Sequence, residues 1–199
     1  LTNGYTLSNL YDNSTLNFTF TTDADLTVGS IDVSDAGSLK LNVGGDLLDD
    51  GNTVTDLIAK SISLNADKGI GSADDAVSVR ASTLSGDADA GLVNIIAKAP
   101  IGDGNTNTLF TVSSLQSTQG TSLTLNQGDL VLTGQIKSGG NDLNVTVDDG
   151  SILGGSSGQI YGGSGSTVKV KASGDIGVSG DGNYYDTISI SGSNVDIQS

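Results

Sequence analysis

Short runs along the chain alternate apolar and polar residues. Ser38-Leu39-Lys40-Leu41-Asn42-Val43 and Thr167-Val168-Lys169-Val170-Lys171-Ala172 are the clearest. Period-two alternation puts apolar side chains on one face of an extended strand and polar ones on the other. The runs share a recurring unit: apolar-x-apolar-x-small, a turn with Gly or Pro, then one apolar residue. Its copies are Leu39, Leu41, Val43, Gly45, Leu47; then Ile62, Leu64, Ala66, Gly69, Ile70; then Val93, Ile95, Ala97, Pro100, Ile101. A degenerate fourth is Leu123, Leu125, Gln127, Gly128, Leu130; the fifth is Leu143, Val145, Val147, Gly150, Ile152; the sixth is Val168, Val170, Ala172, Gly174, Ile176. The starts lie 23, 31, 30, 20 and 25 residues apart, the range of one solenoid coil each. Ala66, Ala97 and Ala172 suit a tight corner in a narrow core, and Pro100 takes a turn slot where it breaks no ladder. Further strands are expected at Val77–Ala81, Leu109–Val112 and Ile188–Ile190. No copy can bury an apolar face alone, so the copies must stack.

Composition favours the same reading. Gly is 29 of 199 residues, and Ser, Asn and Asp supply much of the rest, which marks frequent turns. Glu is absent and Gln is rare, so helix formers are scarce. A β-sandwich is the rival, but four of the eight aromatics (Tyr5, Tyr11, Phe18, Phe20) fall in the first 20 residues, and the inward residues are small aliphatics. The fold expected is all-β, a right-handed parallel β-helix of roughly eight to ten coils, ~40–50 Å long at ~4.8 Å per stacked strand. Residues 1–36 fit the unit poorly and are expected to be irregular first coils, a cap or an insertion. Residues 37–199 carry the repeats, continuous with that segment as one domain.

Charge removes several partners. The net charge is −15, from 8 basic and 23 acidic residues, and every acidic residue is Asp. Such a chain is repelled by nucleic acid and by anionic membrane surfaces. No window of 18 apolar residues occurs, so no membrane insertion is expected. His and Cys are absent, which excludes a Ser-His-Asp triad, a thiol nucleophile, a Cys/His zinc site and any disulfide. The opening Leu1-Thr2-Asn3-Gly4 and the strand-like ending Asn194-Val195-Asp196-Ile197 lead us to expect a segment of a longer chain.

Residues 61–96 contain Ile62-Ser63-Leu64-Asn65-Ala66, Gly69-Ile70-Gly71-Ser72, Val77-Ser78-Val79, Ala81-Ser82-Thr83-Leu84 and Gly91-Leu92-Val93-Asn94-Ile95. This stretch resembles the repeats of filamentous-haemagglutinin-like bacterial exoproteins, the large surface adhesins exported by two-partner secretion or as autotransporter passengers. The phrase recurs in part at Ile101-Gly102 and Asp175-Ile176-Gly177, and the likeness extends over residues 37–197. The resemblance implies a right-handed β-helix, an extracellular or bacterial cell-surface location, and adhesion. It is a repeat-level likeness, and no secretion domain is recognised.

Three kinds of chemistry compete with plain turns. Asp49-Asp50, Asp74-Asp75 and Asp148-Asp149 are adjacent, and Asp23 and Asp25 lie two apart. Glycoside hydrolysis needs two carboxylates flanking a bond. Adjacent strand residues point to opposite faces, however, and these pairs sit in or near turns, so the reading is no enzyme and no catalytic residues. Asp103-Gly104-Asn105-Thr106-Asn107 sets oxygen ligands at alternate positions, which makes Asp103, Asn105 and Asn107 the candidate calcium ligands. No Glu completes the loop, and Asp-Gly-Asn recurs at Asp50 and Asp181 as turn chemistry. No cofactor is required; calcium is the candidate ion. Tyr184 and Tyr185, between Asn183 and Asp186, and Tyr161 in Ile160-Tyr161-Gly162 are the candidate glycan-binding residues. The function expected is a structural shaft or adhesive segment of a large secreted adhesin. Its partners would be host or neighbouring-cell surface glycans or proteins, or biofilm polysaccharide. An Asp-based polysaccharide-degrading or carbohydrate-binding β-helix is the alternative.

Overall fold

A computed structural model describes residues 4–12, 16–34, 36–100, 108–155, 157–177 and 187–199. Among them the chain is all-β with no helix, its parallel strands stacked as a β-solenoid of about 7 turns. At ~4.8 Å per rung that is a rod of ~35 Å, shorter than the eight to ten coils expected. The reason is coil length. Hydrogen bonds between neighbouring coils join residues 21 apart at Asn17–Ser38, but 29 apart at Leu84–Ser113 and 28 apart at Gly165–Ser193.

One face stacks Asn17–Thr22, Ser38–Val43, Ser61–Ala66, Thr83–Ala88, Leu109–Ser117, Asp129–Ser138, Gln159–Gly162 and Ser189–Ser191. The second stacks nine strands from Leu10–Tyr11 through Val93–Lys98 and Leu143–Val147 to Asn194–Gln198. A small third sheet holds Tyr5–Leu7, Leu26–Val28 and Leu47–Asp49. Strands within residues 1–36 join the same ladders: Phe18 pairs with Leu39, Leu26 with Leu47 and Ile31 with Leu57.

The inward positions are those that alternation selects. Leu39, Leu41, Ile62, Leu64, Val93, Ile95, Leu143, Val145, Val168 and Val170 are all buried in one continuous core. The repeat phase differs from the expected one. Ile62 stacks on Leu84, not on Val93. Val93 stacks on Ile70, the residue that closes the preceding unit. The first two units therefore lie on one face and the last four on the other. Within those four, Val93 pairs with Thr121 rather than Leu123, so the fourth unit starts two residues earlier. Thr121 is buried where its neighbours in the ladder are aliphatic, and its hydroxyl donates to the Lys137 carbonyl at 2.8 Å. A satisfied hydroxyl hides easily in such a slot because β-branched Thr is shaped like Val.

One corner ladder is made of small residues after its first rung: Val43, Ala66, Ala88, Ser117, Ser138, Gly162. The two serines are buried and donate to the Gly120 and Asn141 carbonyls, at 3.0 and 2.7 Å. On the outer surface Asn42 donates to Thr21 and Asn65 donates to Asn42, a polar ladder along consecutive strands.

Candidate functional site

The second face is smooth where Val93–Lys98 runs straight, and interrupted in the two coils before it. Leu47, Ile70 and Val93 stack in register, as do Leu57 and Val79, and Val77 and Ile95. Between these fixed points the chain bulges outward as loops 50–56 and 71–76. The loops form a step above the flat sheet. At its foot lies a groove of about 440 Å³ bordered by Asp49, Asp75, Asn94, Ile96, Lys98 and Asn126. Ile96 is an exposed apolar residue on its floor, 38% accessible.

Both loops are set by local hydrogen bonds. Asp50 accepts from the Asn52 backbone and side-chain amides, Asn52 accepts from the Val54 N–H, and Gly51 between them has φ +78°. That left-handed conformation favours Gly. In the second loop the Ser72 N–H donates to the Asp75 carbonyl at 2.7 Å, and the Asp75 N–H donates to the Ser72 hydroxyl at 3.0 Å. Gly71 has φ +72° and lies against the Asn94 backbone.

These loops gather carboxylates that are scattered in sequence. Asp49, Asp50 and Asp56 each bring an oxygen within 4.8 Å of the others. Asp75 of the next coil adds its charge beside Asp49 and Asp50. The adjacent pairs Asp49-Asp50 and Asp74-Asp75 thus both reach the step, Asp74 as part of the groove wall. Asp148 and Asp149 lie elsewhere, exposed, and bond through their backbone to the Leu125 carbonyl and the Gly128 N–H. Asp25 pairs with Lys68 at 3.2 Å, and the Asp46 N–H and Lys68 hold its carboxyl below the usual carboxylate range.

Asp56, at the far end of the loop, was not singled out by sequence. It is fully buried. Its Oδ2 accepts from the Ser78 N–H at 2.6 Å and the Ser78 hydroxyl at 2.8 Å. Its Oδ1 and the Asp49 Oδ1 are buried without a hydrogen-bond partner. Burial first, and the Asp49 carboxylate after it, push the Asp56 carboxyl up to about 7, while the Ser78 N–H opposes the shift. Loss of solvent, then Asp49 and Asp50, likewise raises Asp75.

A sequence signal for Asp56 exists. Asp25, Asp46, Asp56, Asp129 and Asp142 each directly precede a buried Leu. Each accepts a backbone N–H from the following coil: Asp46, Gly69, Ser78, Ser151 and Thr167, at 2.6–3.1 Å. Asp before an inward Leu is therefore a stitch between coils. The one-methylene reach of Asp suits a rung spacing of ~4.8 Å.

Tyr161 stands outward on Gln159–Gly162, 42% exposed, with Lys137 and Ser191 beside it in register. Tyr184 and Tyr185 lie outside the described residues, as do the expected calcium ligands Asp103, Asn105 and Asn107.

Fold and site define the chain as a β-solenoid with an acidic lateral step. No family model, curated protein or solved structure matches the chain. Among the described residues no helix is long and apolar enough to cross a membrane.

Proposed function

We propose that the chain is a structural and adhesive segment of a large secreted bacterial surface adhesin, resembling the filamentous-haemagglutinin-like exoproteins. The observation that carries this reading is one aliphatic core running through the stacked coils beneath outer faces of Ser, Thr, Asn, Lys and Asp. Such a body is stiff along its axis and offers extended polar surfaces with grooves. Its partners would be glycans or proteins on a host or neighbouring cell, or biofilm polysaccharide. Its acidic charge speaks against nucleic acid.

A second reading has its own support. Asp49 and Asp75, from successive coils, border the same groove, and Ile96 adds an exposed apolar residue to it. Paired carboxylates in a groove are the groups an Asp-based hydrolase would use, and Asp49 and Asp75 sit side by side here. A broad glycan array probed with the labelled chain, followed by reducing-end assays on every glycan retained, separates the two. The adhesive reading expects saturable retention and no new reducing ends. Chain scission would replace it with the enzyme reading, and a blank array would contradict glycan adhesion.

A further inference from the structure

We propose that Asp49, Asp50 and Asp56 form a calcium site that locks loop 50–56 onto the solenoid. An acidic cluster on a surface is ordinary; this one is set apart by Asp56. A fully buried carboxylate holds an oxygen, Oδ1, that no protein donor reaches, in a chain where the equivalent stitching aspartates stay partly in contact with solvent. The Asp49 Oδ1 is buried and unsatisfied in the same way. Buried acceptors of this kind call for a partner, and neither carboxylate can donate to the other once both are ionised.

The geometry fits calcium. Its ligand oxygens sit ~2.3–2.6 Å from the ion, so two ligands in one shell lie up to ~5.2 Å apart. The three carboxylates offer oxygens within 4.8 Å of one another. Asp49 is half-buried and Asp50 exposed, which leaves one side open for the waters that complete a shell of six to eight. Asp75 adds negative charge from the next coil. Asp49 ends one strand and Asp56 directly precedes another, so an ion between them closes the base of the loop. This site uses other residues than the sequence-expected ligands Asp103, Asn105 and Asn107, and it does not depend on the adhesive reading.

The test is calorimetric titration of the chelator-treated whole chain with calcium chloride, with thermal melts in parallel. The expected result is one saturable site, and a melting temperature raised by roughly 5–10 °C at ~100 times Kd. Asp49→Asn abolishes both, and Asp103→Asn leaves both intact. Asp50→Asn, at an exposed position, gives the same loss as Asp49→Asn even if the latter folds poorly. The proposal is overturned if the wild-type chain takes up no calcium. It is also overturned if Asp49→Asn and Asp50→Asn respond like wild type, or if Asp103→Asn alone removes the response.

Discussion

At the scale of single residues, aspartate does two jobs that look alike in sequence. Where it precedes an inward Leu, its carboxylate accepts an N–H from the following coil, as Asp46 does from Gly69 and Asp129 from Ser151. A hydrogen bond to a charged acceptor contributes ~1.5–3 kcal/mol where it is shielded from solvent and less where it is not. Elsewhere, as at Asp148, the side chain is exposed and the backbone makes the contact. Asp25 makes the first kind measurable. Its carboxyl is held below its ordinary value by the Asp46 N–H and Lys68, so the folded chain binds that proton less readily than the unfolded chain. The stabilisation is present above the ordinary carboxylate range and is lost as pH falls through the depressed folded value. Melts of wild type and Asp25→Asn are expected to differ most near neutral pH and to converge as pH falls through the depressed folded value. A gap that persists unchanged into strong acid would remove the charge from the explanation.

At the scale of the strand and coil, the alternation read from sequence found the inward residues because a one-residue slip would turn every aliphatic outward. It did not find which face each unit occupies. Both faces of a coil carry the same apolar-x-apolar pattern, so Ile62 and Val93 look equivalent although they lie on different sheets. Ladder position was further hidden by Thr121, a polar residue in an aliphatic slot. The candidate site was legible only in part. Asp49-Asp50 and Asp74-Asp75 stood out as pairs, whereas Asp56 precedes a strand of only two residues, Leu57–Ile58, too short to show alternation. Its signal was the Asp-Leu repeat, which takes on meaning once the coil length is known. Packing predicts an asymmetry between the inward and outward faces of the strands, here on two different sheets. Leu64→Ala, at a fully buried position, is expected to lower stability by ~2–4 kcal/mol, whereas Ile96→Ala, on the groove floor, should cost ~0.5 kcal/mol or less. Chemical denaturation of the two variants checks this, and equal losses would contradict the inward assignment of Leu64.

At the scale of the molecule, the fold turns a weakly hydrophobic, strongly acidic chain into a rod. Stacking hides the inward aliphatic residues in one core, in a chain whose net charge is −15. That charge keeps copies of the rod apart and makes non-specific retention on anionic cell surfaces unfavourable. Any attachment must come from particular surface features, and the lateral step with its groove and the outward Tyr161 are two of these among the described residues. The adhesive account is tested most directly by a binding isotherm of the fluorescently labelled chain on intact cells, with unlabelled chain as competitor. The account predicts saturable binding that the unlabelled chain displaces. Retention no greater than that of an unrelated protein of equal negative charge, and not displaced by the competitor, would contradict it.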